Sequence, residues 1–450
     1  MNKPHPLELS IGMENYSTSF RGVGGNLKSR YEDFIVEEID SDHQVAMASI
    51  PFDAPCVVPD PLEIRGVEKK ARNIHFTMQK MGIATLDAAS LLAASLKISR
   101  HMVTYAGLKD KRALTAQRMA IPKFAIDKLK ELSLHRIWIR DLSYSRRSIN
   151  IGDLWGNKFS ILLRDMDVSC EEALENIAGI QNTSMMNYFG IQRFGVSRPF
   201  THLVGRAIIK REYEEAIDLI LTESSRYEPQ QVAEIRRRIK DEGISERLIE
   251  ELPQDLRYEK LVARSLLKHP DDYQLAFSRI TPRIQTLFIH AYQSYLFNRT
   301  LSLRFQQGMS LSEPMPGDFL IRLDQAHTGR DDWMYVTERN QESLLEKVKS
   351  GEYGLAGTIV GYASKMPNAP QSDLIRRVLK SEGVSLSSFR NADNQHLDSP
   401  GGLHLLAIEI PDIEGSCTSE GLRVEFKLRK GSYATVVLRE LMKNSPLNRS

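Results

Sequence analysis

Strand-like segments occur toward both ends of this chain, and a long helical stretch from about 205 to 300 separates them. YEDFIVEEI (31–39) has the aromatic and β-branched content of a strand, NIHFTMQK (73–80) alternates apolar with polar residues, and RIWIRDL (136–142) reads the same way. GDLWGNKFSILLRDM (152–166) predicts a turn at Gly156-Asn157 feeding a further strand. TLDAASLLAASLKIS (85–99) predicts a helix with Thr85 as its N-cap, and EEALENIAGI (171–180) a second one. In the helical stretch, Ile284, Leu287, Phe288, Ala291 and Tyr295 fall on one face. A β-rich section from 313 to 365, marked by Gly317, Gly354, Gly357 and Gly361, leads into the helical LIRRVLKSEG. Strands return at HLLAIEI (404–410) and GLRVEFKL (421–428), and ATVVLRELMK closes as a helix. Strands that resume after a long helical interruption describe a host sheet completed only after an insertion. At 450 residues the chain also exceeds one hydrophobic core, which calls for two domains or one domain with a large insertion.

Net charge is only +2, so any polyanionic partner must be met by local patches. Basic clusters occur at KKAR (69–72), KDKR (109–112), YSRRS (144–148), RRRIK (236–240) and KLRKG (427–431), of which RRRIK reads as the solvated face of a charged helix. Cys56, Cys170 and Cys417 are far apart without a CxxC pair or a nearby His. That spacing argues against a zinc site and against a disulfide framework. No apolar run reaches membrane-spanning length and the N-terminus lacks a secretory core, so a cytoplasmic protein is expected.

Four stretches could carry chemistry. In YAGLKDKRALTAQ (105–117), Asp110 is flanked by Lys109, Lys111 and Arg112, cations that favour an ionised carboxylate. The stretch lacks P-loop spacing, and a plain surface turn is the bland alternative. MNYFGIQRFG (186–195) sets aromatics beside Asn and Arg, a composition suited to stacking on an unpaired base, or to a buried turn. FKLRKGSYATVVLREL (426–441) runs from strand through a Gly-Ser turn into a helix whose start could hold a phosphate. GNLKSRYEDFIVEE (25–38) reads by composition as a core strand preceded by a solvated Lys28.

Taken in order, GGNLKSRYEDFIVEE, YAGLKDKRALTAQ, GNKFSILLRD, NYFGIQRFG and FKLRKGSYATVVLREL resemble the tRNA pseudouridine synthase D (TruD) family along nearly the whole chain. ENYSTSFRGVGGNLK, RPFTHLVGRAI and HAYQSYLFN are similar to its archaeal and eukaryotic branch. The resemblance implies an α/β (α+β) chain with the pseudouridine synthase fold: a mixed, largely antiparallel sheet with helices, plus a large inserted α/β TRUD domain. Residues 1–200 and 405–450 would form the catalytic domain and 201–404 the insertion. It implies an isomerase that converts uridine to pseudouridine in tRNA, with nucleotide 13 as the family precedent and other RNAs as further substrates. No cofactor, no metal, no membrane and no obligate protein partner are implied.

The same resemblance implies site roles. Asp110 would be the catalytic nucleophile, or take part in proton removal, and Lys28 its supporting cation. Phe34, Asn187 and Phe426 would contact substrate, and Phe189 would stack on the flipped base. Two positions depart from the family pattern: Met186 replaces a proline before NYFG, and SPGGLHLL (399–406) lacks an arginine after its glycine. A binding protein that kept the fold and lost turnover would bind RNA without forming pseudouridine. An RNA methyltransferase would need a nucleotide-type glycine fingerprint after an early strand, which is absent.

Overall fold

The computed structural model describes residues 3–57, 64–129, 131–323, 333–392 and 394–449. Along the chain, the first long strands are β1 (Phe34–Ile39), β2 (Asn73–Met81), β3 (Leu114–Pro122), β4 (Ile137–Ser145) and β5 (Gly156–Met166). Between β2 and β3 lies helix α1 (Thr85–Leu96), and after β5 comes α2 (Cys170–Gln181). A run of helices follows, ending in the 25-residue α3 (Pro282–Gln306). Then come β6 (Phe319–Arg322), β7 (Trp333–Tyr335), β8 (Tyr353–Ile359), β9 (Gly402–Leu405), β10 (Glu414–Thr418), β11 (Gly421–Arg429) and helix α4 (Ala434–Met442).

The large sheet has the order β10-β11-β5-β1-β3-β2-β4. Its pairs are antiparallel except β1 with β3, so the sheet is mixed and largely antiparallel, as the family resemblance implies. The C-terminal β11 pairs with β5 over eight positions, from Leu422↔Leu163 to Arg429↔Gly156. The strand that completes this sheet therefore enters only after the helical stretch. A smaller antiparallel sheet has the order β7-β6-β8-β9.

Three apolar clusters hold these layers. Phe76, Met78, Met119 and Ile139 from the sheet pack on Ala89, Leu92 and Leu96 of α1. Phe34, Phe159 and Phe426 join Tyr188, Phe189 and the inner face of α4 in a second cluster, which extends to Phe297 and Leu301 of α3. The third cluster is helical and takes Phe288, Tyr292 and Leu296 from α3. Thus α3 is buried on two sides, and its two halves stitch the helical region to the large sheet. The single-face prediction fails there: Leu287 is 42% exposed, while the polar Gln293 and Asn298 are buried.

Other local expectations also change. Gly156 and Asn157 are the first residues of β5 rather than a turn. A Cβ on Gly156 would lie 1.9 Å from the Leu428 carbonyl oxygen, so glycine is required by close strand approach. The turn lies earlier, at Gly152, where φ is +94°. The predicted strand at 404–410 splits, because β9 ends at Leu405 and Ala407–Ile408 pairs instead with Met185–Met186. Cys170 and Cys417 form a disulfide, with Cα atoms 6.2 Å apart across 247 residues. The start of α2 lies against β10, a proximity that linear spacing cannot reveal. Arg236 of RRRIK is 1% exposed rather than solvated. It donates to the Ile220 carbonyl (2.7 Å) at a helix end and pairs with Glu228 and Glu259.

Candidate active site

Asp110 sits in the loop that leads into β3, and the hydrogen bonds of that loop explain its sequence. The Lys109 N–H donates to Thr85 Oγ1 (2.9 Å), and the Thr85 hydroxyl donates to Gln117 Oε1 (2.9 Å). Thr85 is therefore the loop's anchor and not the N-cap of α1; that position belongs to Ala84, which makes no side-chain cap. Gln117 in turn donates to the Gly107 carbonyl (3.0 Å). Lys109 turns away from Asp110 to a buried pair with Glu38 at 2.5 Å, and Glu38 also accepts the Arg118 N–H.

The cations around Asp110 in space differ from its neighbours in sequence. Lys28 Nζ lies 3.7 Å from Asp110 Oδ2, and the two side chains are 5% and 43% exposed. Lys28 is not solvated, as its composition suggested, because its ammonium sits 4.4 Å above the Phe34 ring. Its φ is +58°, a left-handed conformation that costs a non-glycine residue about 1 kcal/mol. Arg112 donates to the Lys28 carbonyl (3.2 Å), fixing that turn against the loop. Beneath the loop lies Lys80 of β2, fully buried, donating to the carbonyls of Ile83 (2.8 Å) and Asp110 (3.0 Å). Burial lowers the Lys80 pKa to about 8, with Asp110 acting in the opposite sense. The result is a half-exposed carboxylate on a loop anchored from below.

Asn187 and Phe189 lie in the loop after Met185–Met186. The Asn187 amide donates to the Leu405 carbonyl (3.1 Å), and its backbone N–H donates to Leu406 (2.9 Å). Its Oδ1 is buried without a partner among the described residues. The Phe189 ring is 8% exposed, with Phe297 and Tyr433 edge-on to it. Its face is stacked on His404 of β9, with centroids 4.3 Å apart. His404 Nε2 donates to the Asn187 carbonyl (3.2 Å), and burial lowers its pKa to about 4, leaving the imidazole neutral. His404 thus touches two of the four predicted substrate residues, Asn187 and Phe189, from a stretch marked in the sequence only by a missing arginine.

Phe34 and Phe426 are 1% and 2% exposed and are joined through Phe159, at centroid distances of 6.3 and 5.3 Å. Lys28, Phe34 and Asp110 make one contact group, and Asn187, Phe189 and His404 another; Phe34, Phe189 and Phe426 share the same core cluster. In the basic turn after β11, Arg429 donates to the Leu323 carbonyl (2.7 Å) and Lys430 to that of Gly152 (3.1 Å), so both side chains hold main-chain carbonyls. Among the described residues no group of three or more His, Cys, Asp or Glu side chains is placed to hold a metal ion.

Residues 10–441 match the family model described as tRNA pseudouridine synthase D (TruD). The chain belongs to the TruD family. Among its relatives, a protein of Methanosarcina acetivorans named "Probable tRNA pseudouridine synthase D" is 32% identical over 99% of this chain and 98% of its own length. One of the same name from Methanococcoides burtonii is 31% identical over the full length of both. A crystal structure of a Methanosarcina mazei protein carrying the same TruD designation superimposes with a TM-score of 0.81 at 30% identity, covering all of both chains. The TruD fold predicted from the motifs is therefore the fold of this chain.

Proposed function

We propose that this protein isomerises uridine to pseudouridine in tRNA, at nucleotide 13, with Asp110 as the nucleophile and no cofactor. The supporting observation is the Asp110 loop: a carboxylate left half-exposed, facing Lys28, on a main chain held by Lys80 and Thr85. In this reading the carboxylate attacks C1′ of the flipped uridine, the C1′–N1 bond breaks, and uracil departs as the anion. The base turns, C5 bonds to C1′ as the carboxylate leaves, and the C5 proton is lost while N1 takes one up, so that the net change is an isomerisation. Lys28 serves as counter-ion through these charge changes. The free Asn187 Oδ1 is an acceptor suited to the uracil N3–H, and it orients the ring. Phe189 is the stacking platform, with His404 setting its plane; Phe34 and Phe426 shape the floor.

Residues 1–200 and 405–450 make the catalytic domain in this proposal, 201–404 the insertion, and the cytoplasmic tRNA pool is the substrate source. The test is incubation of an unmodified tRNA transcript with the protein in chelator-containing buffer, followed by chemical mapping of pseudouridine. A single modified site at nucleotide 13 is expected. Tight tRNA binding with no product would identify a binding protein and overturn the proposal.

A further inference from the structure

The small sheet has a second face that the site above does not use. Side chains alternate along its strands, so His404 points to Phe189 and Phe297 while Leu403, opposite Thr358, points the other way. On that outer face Phe319, Trp333 and Thr358 line a cavity of about 320 Å³, with Lys365 and Gly402 at its rim. The volume is at the lower end of small-ligand sites.

Three features point to what it holds. Thr358 is 5% exposed and its Oγ1 has no partner among the described residues, a buried hydroxyl that a ligand polar atom would satisfy. Trp333 stands on Phe319 with centroids 5.5 Å apart, and Lys365 Nζ lies 4.5 Å from its centroid. An aromatic wall beside a movable ammonium suits a planar base and its phosphate. The rim is also rigid. Tyr362 N–H donates to Ser399 (3.0 Å) and Ala363 N–H to Pro400 (3.2 Å), while a Cβ on Gly361 would lie 2.1 Å from Gly401 N.

We propose that this cavity binds a second, unstacked nucleobase of the substrate RNA, hydrogen-bonded to Thr358 and stacked on Trp333, with its phosphate at Lys365. The proposal rests on the tRNA reading above. It gives β9 two tasks: Leu403 lines the base cavity, and the Leu405 carbonyl holds Asn187. The two residues are roughly 7 Å apart along the strand, so one strand would link the remote base to the target uridine.

The experiment compares Trp333→Ala, Thr358→Val and Thr358→Ser with wild type on an unmodified tRNA transcript and on a short uridine-containing oligonucleotide, with thermal unfolding as the fold check. Trp333→Ala should raise KM for tRNA about tenfold. Thr358→Val should raise it about threefold, and Thr358→Ser should restore it. The short oligonucleotide should lose much less. With Trp138 and Trp155 replaced by Phe, Trp333 emission should be quenched by tRNA but not by an equal concentration of nucleoside monophosphate. Unchanged KM in a folded Trp333→Ala protein would overturn the proposal. So would equal losses on both RNAs with a lowered unfolding midpoint, or equal quenching by the monophosphate. Quenching of Trp333 by tRNA without pseudouridine formation would sink the isomerase reading and leave the base site standing.

Discussion

Glu8 and Asp110 are both carboxylates facing basic side chains, but their surroundings differ. The Glu8 side chain is 2% exposed and shared by Arg439 (3.1 Å) and Arg449 (2.6 Å), inside a knot that includes the buried Glu440. The Asp110 side chain is 43% exposed and stands 3.7 Å from Lys28. Burial alone would raise the Glu8 pKa, yet the two guanidinium groups hold it below the ordinary carboxylate value. The knot ties the N-terminal segment to α4 and the C-terminus, and its charges are saturated. Around Asp110 the main chain is held instead, by Lys80 and Thr85, and the carboxylate itself is left accessible to a ligand. The Glu8 oxygens are filled by protein groups, whereas Asp110 is held by its main chain and its carboxylate stays half-exposed.

The difference can be broken at either end. Glu8→Gln leaves two buried guanidinium groups short of a counter-charge, and should cost about 3–5 kcal/mol in denaturant unfolding. A loss under 1 kcal/mol would mean that the knot is not structural. Lys80→Met should lower kcat about 100-fold by loosening the loop that carries Asp110, with KM little changed. Wild-type kcat should fall on the alkaline side with a midpoint near the Lys80 pKa of about 8, and that limb should be missing in the variant.

Acid sharpens the comparison through the buried histidines. Burial lowers the His202 pKa to about 3 and that of His404 to about 4, both below the unfolded value of 6.5. The unfolded chain binds these protons first, so the stabilisation is complete above pH 6.5 and is lost as pH falls toward the folded values. His202 alone should remove about 2 kcal/mol by about pH 5, read as a shift in denaturant midpoint. The smallest effect is expected for His404→Leu, which keeps bulk against Phe189 but drops the bond to Asn187; kcat/KM should fall about tenfold. An unchanged kcat/KM would return His404 to a packing role.

Much of this was legible in sequence because it is local. β2 and β11 followed from alternation, and the joint order of KDKR, NYFG and GSYAT carried the family and its fold. What escaped depends on contacts distant in sequence. Lys109 looked like a partner of Asp110 but belongs to Glu38, and Lys80 lies 30 residues upstream in a strand where nothing marks it. Thr85 matched an N-cap pattern, yet its hydroxyl is bound to Gln117 and Lys109. Gly156 matched a turn and turned out to be a point of strand crowding. Cys170 and Cys417 meet only because β10 enters the sheet beside α2.

In the proposed reaction Asp110 performs the chemistry while its main chain serves the fold. Asp110→Asn keeps the shape and every backbone contact of the loop. Mapped pseudouridine in tRNA should fall by about 10⁴-fold or more, with the thermal unfolding midpoint unchanged from wild type. Product formed at the wild-type rate, or a loss of product that only follows a loss of folded protein, would contradict the account.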